Sequence, residues 1–192
     1  MGAITVTEEP ATSLADYARI PIAFTVDRLL DVELGPDGVV FTERQVAAPY
    51  VKDYDAIKGE GPTRWAEGFD LTNWRRLSAR RDGELVGGAV VAFDTAGVAM
   101  LEGRNDLTVL WDIRVAPEFR RRGVGALLFD ATQALGTKQG CRQLKAETQN
   151  INLAACRFYQ RQGCALGGIN RLAYPAFPDE VQLLWCKPLG WR

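Results

Sequence analysis

Residues 107–136, LTVLWDIRVAPEFRRRGVGALLFDATQALG, change period part-way along. LTVLWDIRV (107–115) alternates as a half-buried strand does, and Pro117 ends the pattern. Over 123–136, Val124, Leu127, Leu128, Ala131 and Leu135 fall on one face at helical spacing, with Gly136 placed to end the helix. Between the two periods stand three arginines directly against Gly123-Val124-Gly125. A strand feeding a helix through so short a link restricts the chain to folds that stack helices on a sheet.

The flanking segments extend that pattern. IAFTVDRLLDVEL (22–34) and VVFTERQV read as two strands joined at Gly35-Pro36-Asp37-Gly38, a strong turn signal. WRRLSARR, Asp82-Gly83 and ELVGGAVVAF read as a second hairpin, in a central sheet. Residues 48–73, rich in Pro, Gly, Trp and charge, read as a long loop with one short helix. CRQLKAET (141–148) is the next strand. Asn150 or Asn152 caps a following helix with Ile151, Ala155 and Phe158 on its apolar face and Gly163 at its end. CALGGI and VQLLWC are the last strands, joined by a Pro-rich loop at 170–180. The fold class is mixed α/β, with a largely antiparallel central sheet flanked by helices. The expected organisation is an N-terminal arm over 1–21, loosely fixed, and one domain over 22–192.

Composition narrows the chemistry. Formal net charge is −1, so no whole-protein field points to nucleic acid or a membrane, and the clustered arginines are a local signal. Histidine is absent, which removes the usual general base, the commonest metal ligand and any Ser-His or Cys-His nucleophile. The four cysteines, Cys141, Cys156, Cys164 and Cys186, have no CxxC spacing and read as reduced thiols of a cytoplasmic protein. No metal site is expected. The N-terminus has neither a basic n-region nor a long apolar run, so no signal peptide or membrane span is expected.

Two constellations carry chemistry. In Arg120-Arg121-Arg122-Gly123-Val124-Gly125-Ala126, the glycines let a ligand approach the backbone, and the helix start supplies unpaired N–H donors. The arginines add charge-assisted bonds to phosphate oxygens. A tight turn with a solvated arginine face accounts for the same residues. The segment is not a P-loop, since no Gly-Lys-Ser/Thr follows, and it lacks the third glycine of a dinucleotide fingerprint. The second constellation runs from Asn152 to Gly163 and carries Phe158-Tyr159, a pair that by itself reads as core.

In that order, VAPEFRRRGVGALLF and KAETQNINLAACRFYQRQGC resemble the acyl-CoA signature of the GCN5-related N-acetyltransferase (GNAT) superfamily. FTVDRLLDVEL, FTERQVAAPYVKDYD and ETQNINLAACRFYQRQGCALGGINRLAYPAF resemble its streptothricin acetyltransferase branch. The resemblance implies a single GNAT-like domain with an acetyl-CoA core at about 107–164 and acetyl-CoA as co-substrate. It implies that the backbone of Ile113, Arg114 and Val115 pairs with the pantetheine arm. It assigns Arg120, Arg121, Arg122, Gly123, Val124, Gly125 and Ala126 to the pyrophosphate. Asn152 and Ala155 line the arm, and Tyr159 stands beside the thioester sulfur. Cys164, where the family usually has Phe, is a departure that touches packing.

The acceptor is then an amine, and a lysine-like ammonium, with a pKa of about 10.4, must lose a proton before it can attack. With no histidine, carboxylates are the candidates: Asp112 on the strand before the phosphate loop, and Glu147 near the end of the next. Each taken singly reads first as an ion-pair partner of an arginine such as Arg114, and a third reading is an anchor for a cationic acceptor that moves no proton. Backbone N–H groups near Ile113 to Val115 would stabilise the oxyanion, and Tyr159 would protonate the leaving thiolate. The expected activity is transfer of an acetyl group to a primary amine of a small cationic acceptor, streptothricin or a similar antibiotic. The alternatives are a protein lysine, N-terminal or polyamine acetyltransferase, a non-catalytic acyl-CoA-binding module, and nucleic-acid binding through Arg75, Arg76, Arg80, Arg81 and Arg120–Arg122. The resemblance leaves a homodimer open.

Overall fold

The Asp82-Gly83 dipeptide forms the turn its chemistry favours. In the computed structural model, which describes residues 2–12 and 14–190, both residues have positive φ, and β4 (Trp74–Arg81) and β5 (Glu84–Ala92) pair antiparallel with Arg81 opposite Glu84. Met1, Ser13, Trp191 and Arg192, at the ends of the chain and within the expected arm, lie outside the described residues. The fold is the mixed α/β arrangement expected, and its internal contacts gather in two compact units.

The first unit comprises Met1–Ile22, Tyr54–Lys145 and Pro188–Arg192. Its strand order is β1 (Ile4–Pro10), β4, β5, β6 (Leu107–Val115) and the start of β7 (Gln143–Gln149). β1·β4, β4·β5 and β5·β6 are all antiparallel. Here the expectation of a loosely fixed arm over 1–21 fails. Ile4–Pro10 pairs with β4, and Tyr17, in a 3₁₀ turn over Tyr17–Arg19, is fully buried. Its ring packs so closely on β5 that a Cβ at Gly88 would stand 2.8 Å from it. On β5, a Cβ at Gly87 would stand 3.0 Å from Val124 of helix α2 (Val124–Lys138). The two glycines of ELVGGAVVAF thus let the 3₁₀ turn and the helix settle on the strand. In the expected long loop, helix α1 (Trp65–Gly68) inserts Trp65, and Phe69 follows, into a cluster with Trp74 and Trp111 whose ring centroids are 5.0–6.2 Å apart.

α2 departs from expectation in two ways. It runs through Gly136, which is buried, because a side chain there would collide with Thr108 Oγ1 at 2.3 Å; Gly140, with positive φ, follows the helix end. Its buried face is Val124, Leu128, Phe129, Thr132 and Leu135, while Leu127 is exposed.

The second unit comprises Ala23–Asp53 and Ala146–Lys187. It holds the expected hairpin of β2 (Phe24–Gly35) and β3 (Gly38–Lys52), closed by Gly35 opposite Gly38. It also holds the end of β7, helix α3 (Leu153–Arg161), and β8 (Ala165–Asn170) paired antiparallel with β9 (Gln182–Pro188). Asn152 caps α3, its side chain accepting from the Ala155 N–H at 3.1 Å. Asn150 instead bonds Leu30 and Val181. The buried residues of α3 are Cys156 and Tyr159, and the expected face of Ala155 and Phe158 is half-buried. No helix among the described residues is long and apolar enough to cross a membrane.

Candidate active site

In the first unit, β6 carries an irregularity that the sequence did not announce. Leu110 stands opposite Val91 and Asp112 opposite Val90, so Trp111 has no partner on β5. A bulge of this kind breaks the ladder locally and re-aims backbone groups. Beyond it, Ile113, Arg114 and Val115 pair regularly with Ala89, Gly88 and Gly87.

The side chains of Asp112 and Arg114 are engaged with each other. Arg114 donates to both Asp112 oxygens at 2.8–3.0 Å, to both Asp55 oxygens at 2.6 and 2.9 Å, and to the Ile20 carbonyl at 3.2 Å. Tyr17 Oη donates to Asp112 Oδ1 at 2.7 Å, and its ring lies 5.3 Å from the guanidinium. The Arg114 and Asp112 side chains are 1% and 6% exposed. Burial opposes the charge on Arg114, but the bonds to Asp55 and Asp112 outweigh it and hold the guanidinium above its ordinary pKa. Burial, with the Asp112 carboxylate beside it, raises the Tyr17 phenol well above its usual range. Tyr17 and Asp55 escaped sequence reasoning because nothing local to either marks it.

Between β6 and α2, the three arginines divide. Arg120 donates to the carbonyls of Val115 and Pro21, both at 3.1 Å, so it fastens the loop. Arg121 and Arg122 are exposed, Arg121 with positive φ and Arg122 over the Phe119 ring. Gly123, also at positive φ, is the N-cap residue and supplies no side-chain bond to the helix. A Cβ there would meet nothing within 4 Å. Val124 is buried, and Gly125 and Ala126 are half-buried. A 15-residue helix thus begins at an uncapped, roomy glycine, beside two exposed guanidiniums.

The second unit holds Glu147, Asn152, Ala155 and Tyr159. Glu147 is half-buried; Tyr174 Oη donates to Oε1 at 2.5 Å and Gln182 Nε2 to Oε2 at 2.7 Å. Tyr159 is buried, its ring stacked on Trp185 at 6.4 Å and edge-on to Phe158 at 5.2 Å. The cysteines are free thiols. Burial raises the Cys156 thiol, and raises Cys164 to about 11, so neither is a thiolate nucleophile at neutral pH. Of the arginines weighed for nucleic acid, the four on β4 are paired with acids within the first unit. Arg76 is bound by Asp16 and Glu9, Arg75 by Glu8, Arg80 by Asp16, and Arg81 by Asp82.

Comparison with known proteins identifies the family and the fold. Residues 47–164, more than half of the chain, match the model of the acetyltransferase (GNAT) family. A streptothricin acetyltransferase from Streptomyces lavendulae is 27% identical over 158 residues, 82% of this chain and 79% of the relative. The crystal structure of nourseothricin acetyltransferase superposes with a TM-score of 0.75 at 26% identity, covering 98% of this chain and 99% of that one. A Bacillus anthracis structure in complex with acetyl coenzyme A superposes with a TM-score of 0.76 at 23% identity, covering 97% and 99%; at that identity the likeness concerns the fold. The chain belongs to the acetyltransferase (GNAT) family and is an acetyl-CoA-dependent N-acetyltransferase.

Proposed function

We propose that this enzyme acetylates a primary amine of a small cationic antibiotic of the streptothricin class, with Glu147 taking the proton from the acceptor and Tyr159 returning one to the leaving thiolate. Acetyl-CoA supplies the activated acyl group as a thioester. The N–H groups at the start of α2, together with Arg121 and Arg122, bind its pyrophosphate. Arg120 serves by holding the loop, because its guanidinium is already bonded to two carbonyls. The backbone of Ile113 to Val115 aligns the pantetheine arm, Asn152 and Ala155 border it, and backbone N–H groups next to the bulge at Trp111 stabilise the oxyanion.

The choice of base follows from the surroundings of the two carboxylates. Asp112 is locked between Arg114 and the Tyr17 hydroxyl, and its work is to hold β6 in place. Glu147 bonds only neutral groups, a phenol and an amide, among the contacts described above, so its negative charge stays available to a cationic amine.

The observation that carries the acceptor class is the likeness, over about four-fifths of both chains, to a streptothricin acetyltransferase. Expression in a streptothricin-sensitive bacterium tests it. Growth protected against streptothricin, and not against an aminoglycoside, is expected; unprotected growth contradicts the reading. For the proton donor, Tyr159→Phe is expected to lower kcat about 100-fold and leave the acetyl-CoA Kd unchanged. Equal loss of both would make Tyr159 a packing residue.

A further inference from the structure

Both oxygens of Glu147 are held, and the hydroxyl that holds one of them is itself held. Tyr174 Oη donates to Glu147 Oε1 at 2.5 Å and accepts from Gln149 Nε2 at 2.7 Å. A phenol has a single hydrogen, and an amide N–H aimed at its oxygen leaves that hydrogen to point at Glu147. Gln182 Nε2 completes the clamp at Oε2. A glutamate side chain left loose samples several rotamers, and confining it costs conformational entropy. Here two bonds on two oxygens select one placement. A carboxylate offers about four lone-pair sites, so room remains for the proton of an incoming ammonium or of a bridging water.

The segment that brings Tyr174 there, residues 171–181 between β8 and β9, is fastened on its own account. Phe177 N–H bonds the Tyr174 carbonyl and Glu180 N–H the Phe177 carbonyl, both at 2.9 Å, so the loop folds as successive turns. Lys52, at the end of β3, donates to Glu180 Oε1 at 2.5 Å, with both side chains less than a tenth exposed, and its ammonium sits 3.4 Å from the Phe177 ring centroid. The Asn150 side chain takes the Val181 N–H at 2.8 Å. A loop tied at these points delivers Tyr174 to one place.

We infer that Tyr174 is a positioning residue. Its hydroxyl, with the Gln182 amide, holds the Glu147 carboxylate in the orientation that accepts the proton of the acceptor's ammonium. Tyr174 acts through Glu147, so the inference rests on Glu147 being the base.

A double-mutant cycle on kcat, with streptothricin as acceptor, tests it through Glu147→Gln, Tyr174→Phe and the pair. Tyr174→Phe is expected to lower kcat about 10- to 100-fold, with the KM for acetyl-CoA and the Tm unchanged. In the Glu147→Gln background the same change is expected to have no further effect, since the carboxylate it orients is gone. Losses that multiply overturn the positioning role and leave Glu147 as base. A Glu147→Gln enzyme with wild-type kcat overturns the base assignment, and the inference with it. A Tyr174→Phe enzyme with wild-type kcat overturns the inference alone.

Discussion

Asp112 and Glu147 look alike in the sequence: each is a carboxylate on a strand that borders a family signature. Their partners separate them. Asp112 is bonded to Tyr17, 95 residues away, and shares Arg114 with Asp55, 59 residues from that arginine. Such a buried cluster stabilises only when complete, since removing one member leaves an uncompensated charge. Asp112→Asn is therefore expected to cost about 3–5 kcal/mol, a fall in Tm of about 10 °C for a chain of this size. Glu147→Gln is expected to leave Tm unchanged and lower kcat/KM at least about 100-fold. Thermal unfolding beside steady-state kinetics checks the contrast, and a stable but inactive Asp112→Asn would reverse the two roles. No local pattern reveals which carboxylate will meet a buried arginine, so sequence reasoning left both open. The cysteines were legible, because absent pairing and absent histidine already spoke against a nucleophile. Burial carries Cys164 from an ordinary thiol value of 9.0 up to about 11, so it remains protonated in the folded chain after the unfolded chain has ionised. Its contribution to stability is complete below about pH 9 and is lost as pH rises towards about 11. Urea midpoints are expected to fall across that window, and less steeply in Cys164→Val.

At the scale of elements, what was legible was local. Both hairpins follow from their turn residues, and Asn152 is a cap whose bond is made to the residue three places on. What was missed depends on contacts across the sheet or between elements. The bulge at Trp111 is invisible in LTVLWDIRV, because it exists only in the register with β5. ITVTEEP alternates, but a short polar edge strand carries little apolar signal, and its pairing with β4 alone makes it a strand. Gly136 signals a helix end in isolation, yet its missing side chain serves close packing on Thr108. Gly136→Ala, which would favour an isolated helix, is expected instead to destabilise by about 1–3 kcal/mol, read from chemical denaturation. At the other end of the same helix, Gly125→Trp is expected to abolish acetyl-CoA binding measured by calorimetry while the folded Tm persists. Unchanged affinity would remove α2 from the phosphate site.

For the whole molecule, a net charge of −1 with the β4 arginines paired to acids describes a surface without a phosphate-seeking field. Two exposed arginines, Arg121 and Arg122, stand where α2 begins, which is where the proposed function puts the cofactor's pyrophosphate. The family was legible because its cofactor signature lies in two continuous stretches. The bonds around Glu147 were not, because they join β7, β9 and the loop at 171–181, which the sequence leaves far apart. The measurement that meets the central claim most directly is thiol release from acetyl-CoA, with kcat/KM compared across streptothricin, aminoglycosides, polyamines and lysine peptides. The account predicts a kcat/KM for streptothricin at least about 100-fold above every other amine in the panel. An equal or higher value for a lysine peptide or a polyamine would contradict it.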